Sequence, residues 1–165
     1  MKNCKGFTLT ELLVSIAVFS LVVAAASGLF SAAAKAQRRS LENQKVLDNG
    51  RYVLETISKA IRMSEIQTSD GSLLPSLEIE HATKGTVTYA LSSGQVTESG
   101  TAISSTNVTV EKLYFTVSGV GTSAPNKQPR VTIILKVKSK DTIAPMYRVE
   151  VYFQTTISQR NLDTT

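Results

Sequence analysis

Few side chains along this chain could do chemistry, and Glu11 stands in the most telling place. It directly precedes Leu12–Ala34, a run of 23 residues without a charge. A carboxylate carried to the middle of a bilayer costs at least about 2.5 to 3.5 kcal/mol on insertion scales. Glu11 therefore needs a partner, or must stay in the headgroup layer, where the dipole of a helix N-terminus also favours it. Elsewhere the materials for catalysis are sparse. A metal or nucleophilic site needs a cluster of His, Cys or acidic residues, but His81 is the only histidine and Cys4 the only cysteine. His81 sits on an expected strand with no partner motif, so it reads as a structural or surface histidine. No phosphate-binding or dinucleotide-binding glycine pattern is present. The expectation is a protein that is not an enzyme, with no catalytic residues, no metal and no cofactor.

The elements that position Glu11 follow from the apolar run. As a helix rising about 1.5 Å per residue, Leu12 to Ala34 reaches roughly 35 Å, enough to span a hydrocarbon core of about 30 Å. A secretory signal usually has a shorter apolar stretch ending in small residues, an arrangement that Ala24-Ala25-Ala26-Ser27 imitates. Lys35, Arg38 and Arg39 follow the run and outnumber Lys2 and Lys5 before it, so the positive-inside tendency alone does not set the orientation.

Gly6-Phe7-Thr8-Leu9-Thr10-Glu11-Leu12-Leu13-Val14-Ser15-Ile16-Ala17 resembles the processing and methylation motif of type IV pilins and pseudopilins. The resemblance implies a leader, Met1 to Gly6, cut by a membrane prepilin peptidase between Gly6 and Phe7. It also implies N-methylation of Phe7 and an assembly role for Glu11. The chemistry of such a cut is consistent. Gly6 has no side chain to obstruct a protease, and the new α-amine of Phe7 is an ion that, once buried, needs an opposite charge. Glu11 of a neighbouring subunit is the expected partner. Other implied partners are further pilin or pseudopilin subunits and an inner-membrane assembly platform. The implied location is the bacterial inner membrane, crossed once with the C-terminal part outside the cytoplasm, and then a pilus or pseudopilus. The stretch Asn49-Gly50-Arg51-Tyr52-Val53-Leu54 through Ile61-Arg62-Met63 also resembles minor W-type pilins and J-type pseudopilins.

Beyond the membrane run the helical spacing continues through Val46, Gly50, Val53, Ile57 and Ile61. No proline occurs before Pro75, so one helix is expected from about Phe7 to Ile66, with Gly28 and Gly50 as its weak points. From Asp70-Gly71 onward the periodicity becomes two. The clearest strands alternate Tyr147, Val149, Val151, Phe153, Thr155 and Ile157 against Arg148, Glu150, Tyr152, Gln154 and Thr156, and Val131, Ile133, Leu135 and Val137 against Thr132, Lys136 and Lys138. Leu77 to His81, Gly85 to Leu91 and Asn107 to Ser118 are further strands, the last with a bulge near Glu111 where the apolar parity switches. Segments 119–129 and 139–145 read as loops.

The fold class expected is α+β, a long N-terminal helix packed on a C-terminal antiparallel sheet, as in pilins. Its divisions are 1–6 leader, 7–34 membrane and assembly half of the helix, 35–68 amphipathic half, and 69–165 sheet region. Of 18 basic residues, removal of Lys2 and Lys5 leaves 16 against 13 acidic ones. That balance argues against nucleic acid as a partner. Lys136 and Lys138, on the polar face of a strand with Arg130 and Lys140 nearby, read as a solvated face of the kind that protects an edge. The functional expectation is a structural minor pilin or pseudopilin. Its rivals are a bitopic, membrane-anchored binding domain that never assembles and, disfavoured by the lack of a catalytic constellation, a secreted enzyme.

Overall fold

The computed structural model describes residues 6–120 and 128–160. Residues 1–5 of the expected leader, with Lys2, Cys4 and Lys5, and most of the expected 119–129 loop lie outside them. The chain forms two compact units, Met1–Arg38 and Arg39–Thr165. Helix α1 (Leu9–Arg62) supplies all of the described part of the first unit except Gly6, Phe7 and Thr8, and continues into the second.

In the first unit the apolar side chains from Leu12 to Phe30 are exposed, Phe30 to 78%. The hydroxyls within this run are satisfied inside the helix. Ser15, Ser20 and Ser27 donate to the carbonyls of Glu11, Ile16 and Val23 at 2.7, 2.8 and 2.8 Å. Bonding of this kind to the preceding turn suits a segment with no water around it.

The second unit packs the remainder of α1 on two antiparallel sheets. The first sheet has the order β1-β3-β4-β5-β6: β1 (Ser64–Ile66), β3 (Ser76–His81), β4 (Gly85–Ser92), β5 (Gln95–Glu98) and β6 (Thr101–Ala102). The second has the order β2-β7-β8-β9: β2 (Gly71–Leu74), β7 (Val108–Ser118), β8 (Arg130–Ser139) and β9 (Glu150–Ser158). Val46, Val53, Ile57 and Ile61, the apolar face read from the sequence, are buried together with Leu77, Ile79, Tyr89, Phe115, Ile133 and Leu135. Each face alone is apolar on one side, and stacking helix on sheet removes both from water. Polar ties reinforce the stack: Asn49 Oδ1 accepts from the Ser105 N–H at 2.9 Å, and Gly94 C=O accepts from the Val110 N–H at 2.8 Å.

Several sequence expectations change in the structure. The helix ends at Arg62 rather than Ile66, because Ile66 gains more by pairing with Ile79 in β1–β3 and burying its side chain than by another helical turn. The single expected sheet is two sheets, with β1, β2, β5 and β6 added. Gly50 does not interrupt the helix: a Cβ there would overlap the ring of Phe153, so the glycine admits a close approach. Lys136 and Lys138 do not guard an edge, since β8 lies between β7 and β9. The helix also continues through Gly28, around which a Cβ would meet open space.

The bulge does fall at Glu111, between Val110 and Lys112, and it turns that carboxylate toward the two lysines. Lys136 Nζ stands 2.5 Å from Glu111 and 2.9 Å from Glu150, and Lys138 Nζ 2.9 Å from Glu111 and 3.1 Å from Asp141. Hydrogen bonds from Lys136, then Lys138, hold the Glu111 carboxyl down from 4.5 to about 2. The same bonds push both lysines up. A carboxyl lowered on folding stabilises the fold fully above its unfolded value, and that contribution is lost as pH falls through the folded value. Acid titration of unfolding is therefore expected to show stability declining between pH 4.5 and about 2. Glu111→Gln should flatten that segment of the curve, and an unchanged slope would mean the cluster has no part in acid stability.

Candidate processing and assembly site

The N-terminus of α1 is built by Thr8 and Glu11. Thr8 C=O accepts the first helical bond, from the Leu12 N–H at 3.1 Å, which makes Thr8 the N-cap. Glu11 N–H donates to Thr8 Oγ1 at 3.2 Å, while Glu11 Oε2 accepts from the Thr8 N–H at 3.2 Å and from Thr8 Oγ1 at 3.0 Å. This reciprocal pair is a capping box, which satisfies two main-chain donors that a helix start otherwise leaves free. The sequence reading placed Glu11 near the helix dipole and passed over Thr8. The signal was present as Thr8-x-x-Glu11 ahead of an apolar run.

Gly6 and Phe7 precede the cap in non-helical backbone, both exposed, Phe7 to 85%. Among the described residues, apart from its chain neighbours, no atom lies within 4 Å of where a Cβ on Gly6 would stand. The bond between Gly6 and Phe7 therefore joins two exposed, non-helical residues, two residues before the N-terminal end of α1 at Leu9. Thr8→Val is expected to destabilise the first helical turn by about 1 kcal/mol. Faster amide exchange at Glu11 in detergent-solubilised protein would register it, and unchanged exchange would show that the box is not formed in the membrane protein.

His81 is half-buried at the end of β3, its Nδ1 3.3 Å from the Thr83 N–H. It lines a cleft with Lys59, Lys84, Tyr89 and Glu98, in which Lys84 Nζ lies 2.8 Å from Glu98. Burial, and secondarily Glu98, pushes the Tyr89 hydroxyl well up, so the phenol stays protonated. Among the described residues no group of three His, Cys, Asp or Glu side chains is placed to hold a metal ion.

Fold and site together define a class: an α+β protein of pilin-like architecture, with one N-terminal helix long and apolar enough to cross a membrane. A family model described as the prokaryotic N-terminal methylation motif matches residues 1–27, so the chain carries the type IV prepilin-like signal. The match covers Gly6, Phe7, Thr8 and Glu11 and most of the apolar run. No curated protein and no solved structure matches the chain.

Proposed function

We propose that this chain is a structural minor pilin or pseudopilin, matured by prepilin peptidase and incorporated into a type IV pilus-like filament. The observation that carries the reading is the methylation motif at residues 1–27, set on a helix whose Leu12–Phe30 side chains are unburied by the protein itself. Cleavage after Gly6 frees the amine of Phe7, which is methylated. The run Leu12–Ala34 anchors the subunit once in the inner membrane, with the second unit outside the cytoplasm, and later packs among other subunits of the filament. Its partners are the peptidase, an inner-membrane assembly platform and other pilin-like subunits. Its work is assembly, not catalysis. The deciding measurement is the N-terminal peptide mass of membrane-extracted protein with and without prepilin peptidase. A methylated N-terminus at Phe7 that depends on the peptidase supports the proposal; an uncut chain, or a cut beyond Ala24, sinks it.

The capping box favours a second reading, in which the protein is a bitopic anchored domain that never assembles. Glu11 already has partners within its own helix, so its carboxylate is accounted for without a neighbour. Glu11→Gln separates the two readings, because glutamine also serves at the third position of a capping box but carries no charge to meet an ammonium. If Glu11 pairs with Phe7 of a neighbour, the variant is processed normally and incorporated into filaments roughly tenfold or more less well, the size of effect expected when one partner of a buried ion pair is removed. Undiminished incorporation would leave Glu11 a capping residue only.

A further inference from the structure

The two sheets end in four edge strands, and three of them are blunted. β1 has three residues, β6 two, and β2 four with an irregular register against β7. β9 is the exception. It runs nine residues and pairs with β8 in an unbroken register from Lys138↔Glu150 to Arg130↔Ser158. On its other side it pairs with no strand among the described residues. It contains no proline, lysine or bulge of the kind that protects an edge, and apart from Glu150 at its start it carries no charge, Val151 to Ser158 being neutral.

The direction of its free main-chain groups can be read from its two ends. Val149 C=O accepts from the Ser139 N–H, and the Gln159 N–H donates to Pro129 C=O, both at 2.9 Å. The odd-numbered residues thus face β8. By the alternation of an antiparallel ladder, the N–H and C=O groups of Glu150, Tyr152, Gln154, Thr156 and Ser158 point to the open edge. The side chains of these residues stand exposed on the outer face, while Val151, Phe153 and Thr155 are only half-covered on the inner one.

We propose that the open edge of β9 docks an extended strand of another polypeptide, antiparallel, with an acidic residue opposite Arg160 and a basic residue opposite Glu150. Between them the partner is uncharged, with β-branched apolar residues on the inner face beside Val151, Phe153 and Ile157. Charge complementarity sets this choice. Glu150 keeps 53% of its side chain exposed despite its contact with Lys136, and Arg160 is exposed on the same parity ten residues later. Opposite charges facing each other across a strand pair favour one register and one direction over the others. Main-chain bonds supply the attachment and the alternate side chains the selectivity, as in strand addition generally. The inference is independent of filament assembly, because an anchored domain that never assembles presents the same edge.

The test uses the full chain in detergent micelles and an eleven-residue peptide that begins with Glu, ends with Arg and alternates Val and Thr between them. At saturation, amide exchange at Tyr152, Gln154, Thr156 and Ser158 should slow about tenfold or more, while Val151, Phe153 and Thr155, already bonded to β8, change little. A peptide with its Glu and Arg exchanged should bind about threefold more weakly or worse. Gln154→Pro deletes a donor that faces only the open edge, where proline is tolerated, and should abolish binding in a folded protein. Gln154→Lys, which keeps every main-chain group and puts a charge in the uncharged run, serves if the proline variant does not fold, and should weaken binding severalfold. No slowing in the unaltered chain would overturn the proposal, as would equal binding by the folded variants. Protection of the same amides that rises with the concentration of the chain alone would also overturn it, by assigning the edge to a second copy.

Discussion

On the proposed prepilin reading, a Gly6→Val chain is expected to reach the membrane folded and to remain uncut, retaining its leader where the unaltered chain would be cut to begin at Phe7. The expectation rests on separating two effects of one side chain. Among the described residues, apart from its chain neighbours, no atom lies within 4 Å of a Cβ added at Gly6, and the residue precedes the helix, so valine there disturbs none of the described packing and no helical bond. What changes is the scissile bond, where a β-branched side chain crowds the approach of a protease and restricts the backbone that glycine leaves free. Intact mass reads the leader directly, and a thermal unfolding curve matching that of the unaltered chain shows that the domain is intact. A valine chain cut normally to Phe7 would remove Gly6 from the processing site and weaken the prepilin reading as a whole.

Gly50→Leu is expected to act in the opposite way, leaving processing untouched while destabilising the second unit by about 1–3 kcal/mol, the usual cost of forcing extra atoms into a packed core. Even the first added carbon overlaps the Phe153 ring. The ring must then leave its place beside the helix or the helix must lift from β9. Phe153→Ala in the same chain vacates that space, so the double variant should cost less than the sum of the two single ones. Urea unfolding of the detergent-solubilised chain measures all three. Strict additivity would show that helix and ring are not in contact, and the account of Gly50 would fall.

Much of this architecture was legible in one dimension, because it rests on local patterns. Val46, Val53, Ile57 and Ile61 recur at helical spacing and are all buried; Val131, Ile133, Leu135 and Val137 alternate and are all buried. The parity switch in 107–118 marked the bulge at Glu111. The short strands escaped notice because β1, β5 and β6, of two to four residues, hold too few positions to establish a period. Their turns did leave a signal. Ser93-Gly94 and Ser99-Gly100 both take positive φ, at 49° and 75° and at 48° and 85°, and each joins two strands by a two-residue turn.

What the sequence by itself determined is whatever depends on neighbours along the chain: the apolar run, the motif around Gly6, Phe7 and Glu11, the helix with its buried stripe, and the alternation of the long strands. What only the tertiary structure decided depends on residues far apart in the chain. Residue spacing cannot say that Phe153 lies on Gly50, that Glu111 sits between Lys136 and Lys138, or that β8 is enclosed while β9 keeps an open edge. A period of two records that a strand has two faces, but its edges are made by whichever strands come to lie beside it, and that is settled only when the whole sheet has formed.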